Sequence, residues 1–571
     1  MSSPPAPAPA PRSIVPVPGR RAFLQRSGVG WLAATGVLGC AHGPQGVGWL
    51  DVRRLGARGD GVADDTDALQ AALDQAAQQG GGTVFVPAGV YLTRPLRIGS
   101  RTTLHLDAGS VLAATTRLED YPQEEAGASG HESNRAGLVT ARQAEDVAIV
   151  GRGTIDGSAR AFVREDLTYA GKDFDARFTR QGEQFMKVGP EGFVHGPFAR
   201  GDDRPGNLVR FIDCRNALLE GVTIQNSPTW TVHFERCVNV RVHGVDINSR
   251  KNGNRIPNDD GIDLTRCERV RIIGCDIDTG DDCLAVFGSR DVIVSACTLT
   301  SRSAGVRVGF KDGHIRDCSF DNLVIRAANR GLAVFVRSAF DVENVSFSNI
   351  IIETQHYSGR WWGNGEPIHV SALLWDPEAQ TPGRIRNLRF RNIRAVGEAG
   401  MIVYGSPDSV IENLSFEDVE LHIRKGALQA DYGGNFDLRA TRDKAQSIFK
   451  HDIPALHCEN VKDLAIRAFD VSWESGVPEY FTEALHVRAF EDISISQFSG
   501  RQAQAAGAAI FLTQGKNATI RDSQASPGTD LFVCAEEVQG HLLLAGNDAR
   551  RAQALLAPAQ GQAVLRDNHG G

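Results

Sequence analysis

Along most of the chain, apolar and polar positions alternate in short runs, each closed by a polar turn. "NALLEGVTIQNS" (Asn216–Ser227), "NVRVHGVDINSR" (Asn239–Arg250) and "RVRIIGCDIDTG" (Arg269–Gly280) share one frame. Alternating apolar residues precede a small residue, then Val or Cys, one variable position, Ile and a polar turn. The small residues are Gly221, Gly244 and Gly274, followed by Ala296 in "DVIVSACTLTSR". The frame continues at Asn322, Asn349, Asn392 and Asp418, with steps of 23, 30, 22, 26, 27, 43 and 26 residues. Runs of period two rich in Val and Ile predict strands. Units of this length cannot each bury a core, so they must stack.

The predicted fold is therefore all-β, a right-handed parallel β-helix in which each coil lays its strands over those of the coil before. Fainter patterns in "LAIRAFDVSW", "ISISQF" and "ATIRDS" carry the coil to about residue 550. Its first edge needs covering. "GVADDTDALQAALDQAAQQGGGTVFV" predicts a capping helix, with Asp64 and Asp65 as N-cap candidates and Leu69, Ala72, Leu73 and Ala76 as its apolar stripe. Gly80, Gly81 and Gly82 stop it. No linker divides residues 51–571, which read as one domain. Cys214, Cys237 and Cys267 each precede their coil's small residue by seven positions, which predicts an inner-face column, as packed free thiols or as disulfides.

Residues 1–50 belong to a different pattern. "GRRAFLQRSGVGWLAATGVLGCAHG" places Arg20-Arg21 before an apolar run too short to span a bilayer. That order resembles a twin-arginine export signal, and "VLGC" resembles a lipobox with Cys40 as the lipidated residue. Export to a bacterial periplasm, with or without an outer-membrane lipid anchor, is the expectation. The net charge of −8 and the absence of a basic block in the body of the chain argue against nucleic acid as a partner. No Cys-x-x-Cys occurs, which removes zinc-ribbon and thioredoxin readings. No cofactor is expected, and the protein is expected to act as a monomer.

The stretch with the strongest chemical signal is "PNDDGIDLTRCERVRIIGCDIDTGDDC" (Pro257–Cys283), which sets eight carboxylates against three arginines. Asp260 and Asp282 are separated by one short coil, so stacking brings Asp260 within ~5 Å of Asp281 and Asp282. Three carboxylates meeting at one place cannot all ionise at neutral pH without large cost, so one keeps its proton. A protonated acid beside ionised ones suits glycosidic cleavage. Two other readings stay open on spacing alone. One is a solvated row of turn aspartates binding backbone N–H groups; the other is a calcium cluster.

"NDDGID" (Asn258–Asp263) and "GDDC" (Gly280–Cys283) resemble motifs of glycoside hydrolase family 28, the polygalacturonase and rhamnogalacturonan hydrolase family. "GTIDG", "LVRFIDC", "NSPTWTVHF" and "GARGDGVADDTDALQAAL" extend the resemblance over Val52 to Asn349. It implies Asp281 as general acid, Asp260 and Asp282 holding the attacking water, and inversion without a metal. Two departures bear on substrate. Ala304 stands where the family's polygalacturonases carry a His, and their Arg-Ile-Lys is replaced around "GLAVFVRS", with Arg337, Arg307 and Arg330 as candidate stand-ins. These favour a related uronate- or rhamnose-containing glycan.

The 43-residue step contains an insertion, "HYSGRWWGNGEPIHVSALLWDPEAQTPG". Trp361, Trp362, Glu366 and His369 are candidates for a sugar platform, because aromatic faces pack on pyranose rings. Packing of the Trp pair against the solenoid is the alternative, and His233 is a further candidate for substrate contact. An overhanging insertion would favour attack at chain ends. The competing functions are a calcium-dependent polysaccharide lyase and a non-catalytic carbohydrate-binding β-helix.

Overall fold

The computed structural model describes residues 49–124, 133–164, 173–185, 203–249, 256–311, 313–359, 361–557 and 563–570. Chain contacts divide the protein into two units, Met1–Gly46, which contains Cys40 and lies outside the described residues, and Val47–Gly571. The second unit is a parallel β-helix. Strands Val209–Ile212, Val232–Glu235, Ile262–Thr265, Leu284–Phe287, Ala304–Phe310, Arg330–Val336, Glu366–Ala372 and Met401–Tyr404 stack in parallel as one wall. A second wall stacks Arg215–Glu220, Val238–His243, Glu268–Ile273 and Arg290–Ser295 in the same way. Thr223–Gln225, Asp246–Asn248, Asp276–Thr279 and Thr298–Ser301 form the third. From Ile315–Ala328 to Ile411–Ile423 the second and third walls run together as one bent strand per coil.

The reason for the repeat frame lies in the backbone. Gly221, Gly244, Gly274, Ala296, Asn322, Asn349, Asn392 and Asp418 all have φ between 50° and 74°, the left-handed region. Gly, Asn and Asp tolerate this best, and it turns the chain between walls without a long loop. Inside, like residues stack: Phe320, Phe347, Phe390 and Phe416 form a column with ring centroids 5.0, 5.1 and 5.1 Å apart. Cys214, Cys237 and Cys267 are buried free thiols, and each donates from Sγ to a carbonyl, Cys237 for example to Phe211 at 3.2 Å.

The helix Thr66–Gln78 packs against the first strands through Leu69, Ala72, Leu73 and Ala76. The cap differs from expectation. Asp65 occupies the N-cap position without a side-chain cap bond; its carboxylate instead accepts from the backbone N–H of Arg58 and Gly59. Asp64 accepts from the N–H of Thr66 at 3.0 Å. Among the described residues no helix is long and apolar enough to cross a membrane.

Candidate active site

The wall that contains Val209–Ile212 carries the site on its outer face, where each coil turns into its strand. Asp260 precedes Ile262–Thr265, and Asp281 and Asp282 precede Leu284–Phe287, one coil later. Stacking brings their carboxylate oxygens within 4.8 Å of one another. All three line an open cleft of about 300 Å³, although each residue is at least 94% buried by its neighbours. Other lining residues include Trp230, Asn258, Phe287, Arg307, Lys311 and Trp375.

The three acids differ in their partners. Asp281 accepts from the backbone N–H of Asn258 and of Asp282, both at 3.0 Å. Asp282 accepts from Ser303 Oγ at 2.7 Å and the Ala304 N–H at 2.9 Å through one oxygen, and from the Arg307 Nε–H through the other. Asp260 lies 3.7 Å from the same guanidinium, and its Oδ1 has no hydrogen-bond partner. Asp259, fully buried, has a different task. It accepts from the N–H of Gly280 at 2.7 Å and of Asp281 at 2.9 Å, clamping the turn that presents Asp281 and Asp282.

Burial, reinforced by the charge of Asp282 and opposed by Arg307, raises the Asp281 carboxyl to about 8. Burial also pushes Asp260 well above the usual carboxylate range, with Asp281, Asp263 and Asp282 adding to the effect. Asp263, one coil from Arg307's neighbour Ala285, is raised by burial too, and neither of its oxygens has a hydrogen-bond partner. Asp260, Asp263 and Asp281 thus crowd around one guanidinium, and burial favours the protonated form of each. The arrangement can donate a proton and accept one within the same cleft. The three cleft acids are also close enough to share a cation, but Arg307 already supplies a positive charge to two of them.

The remaining candidates separate into cleft and support. Arg307 and Trp362 line the cleft. Trp361 is 3% exposed, and the Arg302 guanidinium sits 5.3 Å over its ring. Arg337 is wholly buried and donates to the carbonyls of Val336, Ser371 and Leu438. Glu366 faces Arg330 at 3.6 Å and His369 at 3.8 Å, beneath the cleft surface. His233 is saturated within the fold, by Asn207 at 3.2 Å and Thr265 at 3.0 Å. Sequence reasoning missed Lys311, Trp375, Asp173 and Arg439, all on the cleft. Arg439 comes from a long excursion between strands Ile411–Ile423 and Leu456–Trp473 and is held by Asp437 at 2.8 Å. Nothing in the repeat frame marks that excursion.

Residues 197–360, which contain all three acids, match the family described as glycosyl hydrolases family 28. Residues 49–144 match a second description, rhamnogalacturonase A/epimerase, pectate lyase-like. A probable polygalacturonase from Vitis vinifera is 24% identical, over 65% of this chain and 73% of its own. An exo-poly-α-D-galacturonosidase from Dickeya chrysanthemi is 28% identical, over 41% of each. Among solved structures, a family 28 exopolygalacturonase from Yersinia enterocolitica superposes with a TM-score of 0.56, at 17% identity over 78% of both chains. An exopolygalacturonase from Thermotoga maritima gives 0.51, at 24% identity over 66% of this chain and 87% of its own. At these identities the solved structures speak for the fold. The matched segment and these relatives indicate a glycoside hydrolase that acts on O-glycosyl bonds.

Proposed function

We propose that the protein hydrolyses a pectin-type polysaccharide or oligosaccharide containing galacturonate or rhamnogalacturonan, with inversion and from chain ends. The observation that carries this is the meeting of Asp260, Asp281 and Asp282 within 4.8 Å in an open cleft, with Asp281 raised to about 8. Asp281 gives its proton to the glycosidic oxygen as the bond from the anomeric carbon breaks. Water, held between Asp260 and Asp282, attacks that carbon from the opposite side, and whichever of these two carboxyls is ionised takes its proton. Asp282, fixed by Ser303, Ala304 and Arg307, orients the water. Arg307, Lys311, Arg330 and Arg439 give the cleft cations for a uronate carboxylate, and relatives named for polygalacturonate support that substrate class.

The insertion and the Arg439 excursion supply Trp362, Arg439 and Ala440 to one side of the cleft, which favours entry of a chain end. Product profiles dominated by long oligomers at early times would contradict exo action. NMR of the anomer first released tests the stereochemistry, with inversion expected. Retention is the second reading, favoured by the short oxygen spacing, since inverting pairs usually stand ~6.5–9.5 Å apart and retaining pairs ~5–5.5 Å. Ultraviolet-absorbing unsaturated ends would instead identify a lyase.

Export through a twin-arginine route with lipidation at Cys40 belongs to the same proposal and rests on the sequence alone. Incorporation of labelled palmitate into the wild type and into Cys40→Ser tests it. Equal labelling of both would reject the anchor.

A further inference from the structure

The catalytic wall does not end at the cleft. Its outward column runs Arg307, Ala333, His369, Ile402, His457, His486 and Phe511, one residue per coil. His486 therefore lies five coils beyond Arg307, roughly 24 Å along the solenoid at ~4.8 Å per coil. There a second cavity of about 400 Å³ opens, lined by residues that include Arg180, Lys450, Asp452, Glu483, His486 and Phe511. It shares no lining residue with the catalytic cleft.

Three features distinguish it from an incidental dent. Buried polar atoms face no partner: Thr482 Oγ1 and His486 Nε2 make no hydrogen bond, and neither does Nδ1 of His457 behind them. Such atoms are costly unless a water or ligand satisfies them. The His486 and Phe511 rings, 4.8 Å apart, give an apolar surface. The walls are pre-set: Arg180 donates to the carbonyls of Gly434 and His451 and to Asp452 at 3.2 Å, tying the segment 173–185 to the Arg439 excursion. Lys450 and Glu483 then bring one cation and one anion to the rim, neither in an ion pair among the described residues. Burial and the neighbouring His457 lower His486 to about 3, so its imidazole is neutral and can both donate and accept.

We infer that this cavity is a second saccharide site, built for a neutral pyranose ring. An aromatic face packs on the ring's C–H surface, while an ammonium, a carboxylate, a hydroxyl and a neutral imidazole meet hydroxyls that both donate and accept. The lining balances its charges, Arg180 against Asp452 and Lys450 against Glu483, so it offers no net attraction to a uronate. That separates it from the cation-bearing cleft. The choice of a saccharide rests on the hydrolase reading; the cavity's existence as a binding site does not. A branched acidic polymer could thus be held by a neutral unit at one site while its acidic chain occupies the other.

Saturation-transfer NMR on the Asp281→Asn protein tests this, with methyl α-D-galactopyranoside, methyl α-L-rhamnopyranoside and methyl β-D-xylopyranoside as probes. At least one is expected to give a signal that digalacturonate does not displace. Phe511→Ala is expected to weaken it about tenfold, and Glu483→Gln, at a partly exposed position that leaves the fold intact, by about threefold, the affinity steps expected for lost contacts of this size. Trp375→Ala, in the catalytic cleft, should leave it unchanged. Absence of signal from all three probes, displacement by digalacturonate, or a signal indifferent to both Phe511→Ala and Glu483→Gln overturns the inference. Retained hydrolysis in Phe511→Ala beside lost probe binding would separate this site from the catalytic one.

Discussion

Two stacks of turn residues run along this solenoid, and they use the same polar side chains for opposite ends. In one, Asn216 donates to Asp146 at 2.8 Å, Asn239 to Asn216 at 2.9 Å, Asn344 to Asp317 at 2.9 Å, Asn387 to Asn344 at 2.9 Å and Asn413 to Asn387 at 2.7 Å. Each of these asparagines has a left-handed φ, and each amide satisfies the coil beneath it. In the other, Asp260, Asp281 and Asp282 crowd together, share Arg307, and leave Asp260 Oδ1 without a partner. Amide ladders close the hydrogen-bond account of a turn; carboxylate clusters leave it open. In a repeat protein the place where stacked polar groups fail to satisfy one another is where chemistry is to be sought.

Breaking each stack should give different phenotypes. Asp281→Asn removes the proposed proton donor and is expected to lower kcat by about 10²–10⁴-fold on pectic oligosaccharides, with glycan binding retained. An Asp281→Asn protein with unchanged turnover would place the site elsewhere. The pH profile gives the next largest effect. kcat/KM should fall tenfold per pH unit above about 8, as Asp281 loses its proton. Stability follows the same group. Its folded pKa is raised, so its neutral form stabilises the fold at low pH, and this contribution is lost as pH rises from the ordinary carboxylate range through about 8. Asp281→Asn should therefore gain Tm over the wild type by roughly 2 °C or more above that pH and not below the carboxylate range.

On the ladder side, Asn387→Ala removes two amide hydrogen bonds and places Ala at φ 59°. It should cost about 1–3 kcal/mol in denaturant unfolding and leave kcat unchanged. A loss of turnover there would erase the distinction between the stacks. The smallest effect is expected from EDTA, which should change neither activity nor Tm if Arg307 rather than a cation balances the acids. Activity lost to chelation and restored by calcium would reverse that assignment.

Much of this was legible in the sequence because a solenoid converts spacing into proximity. The marks from Gly221 to Asp418 are all left-handed turn positions, and one coil's spacing brought Asp260 to Asp281 and Asp282. What escaped lies off the repeat. Asp259, adjacent to Asp260, is a turn clamp, because a bend in the chain and not the coil length decides which of two neighbours faces the cleft. The same holds for Trp361 and Trp362, of which only the second lines the cleft. Arg439 sits 132 positions after Arg307 in an excursion with no periodic pattern, so nothing in its spacing announced its place in the cleft.

The most direct measurement is carboxyl ¹³C NMR of Asp-labelled protein across pH 3 to 10, in the wild type and in Asp281→Asn. The expected result is a carboxyl in the wild type that keeps its proton to about pH 8 and is missing from the variant. Complete ionisation of every aspartate below about pH 5 would contradict a protonated acid in the cleft.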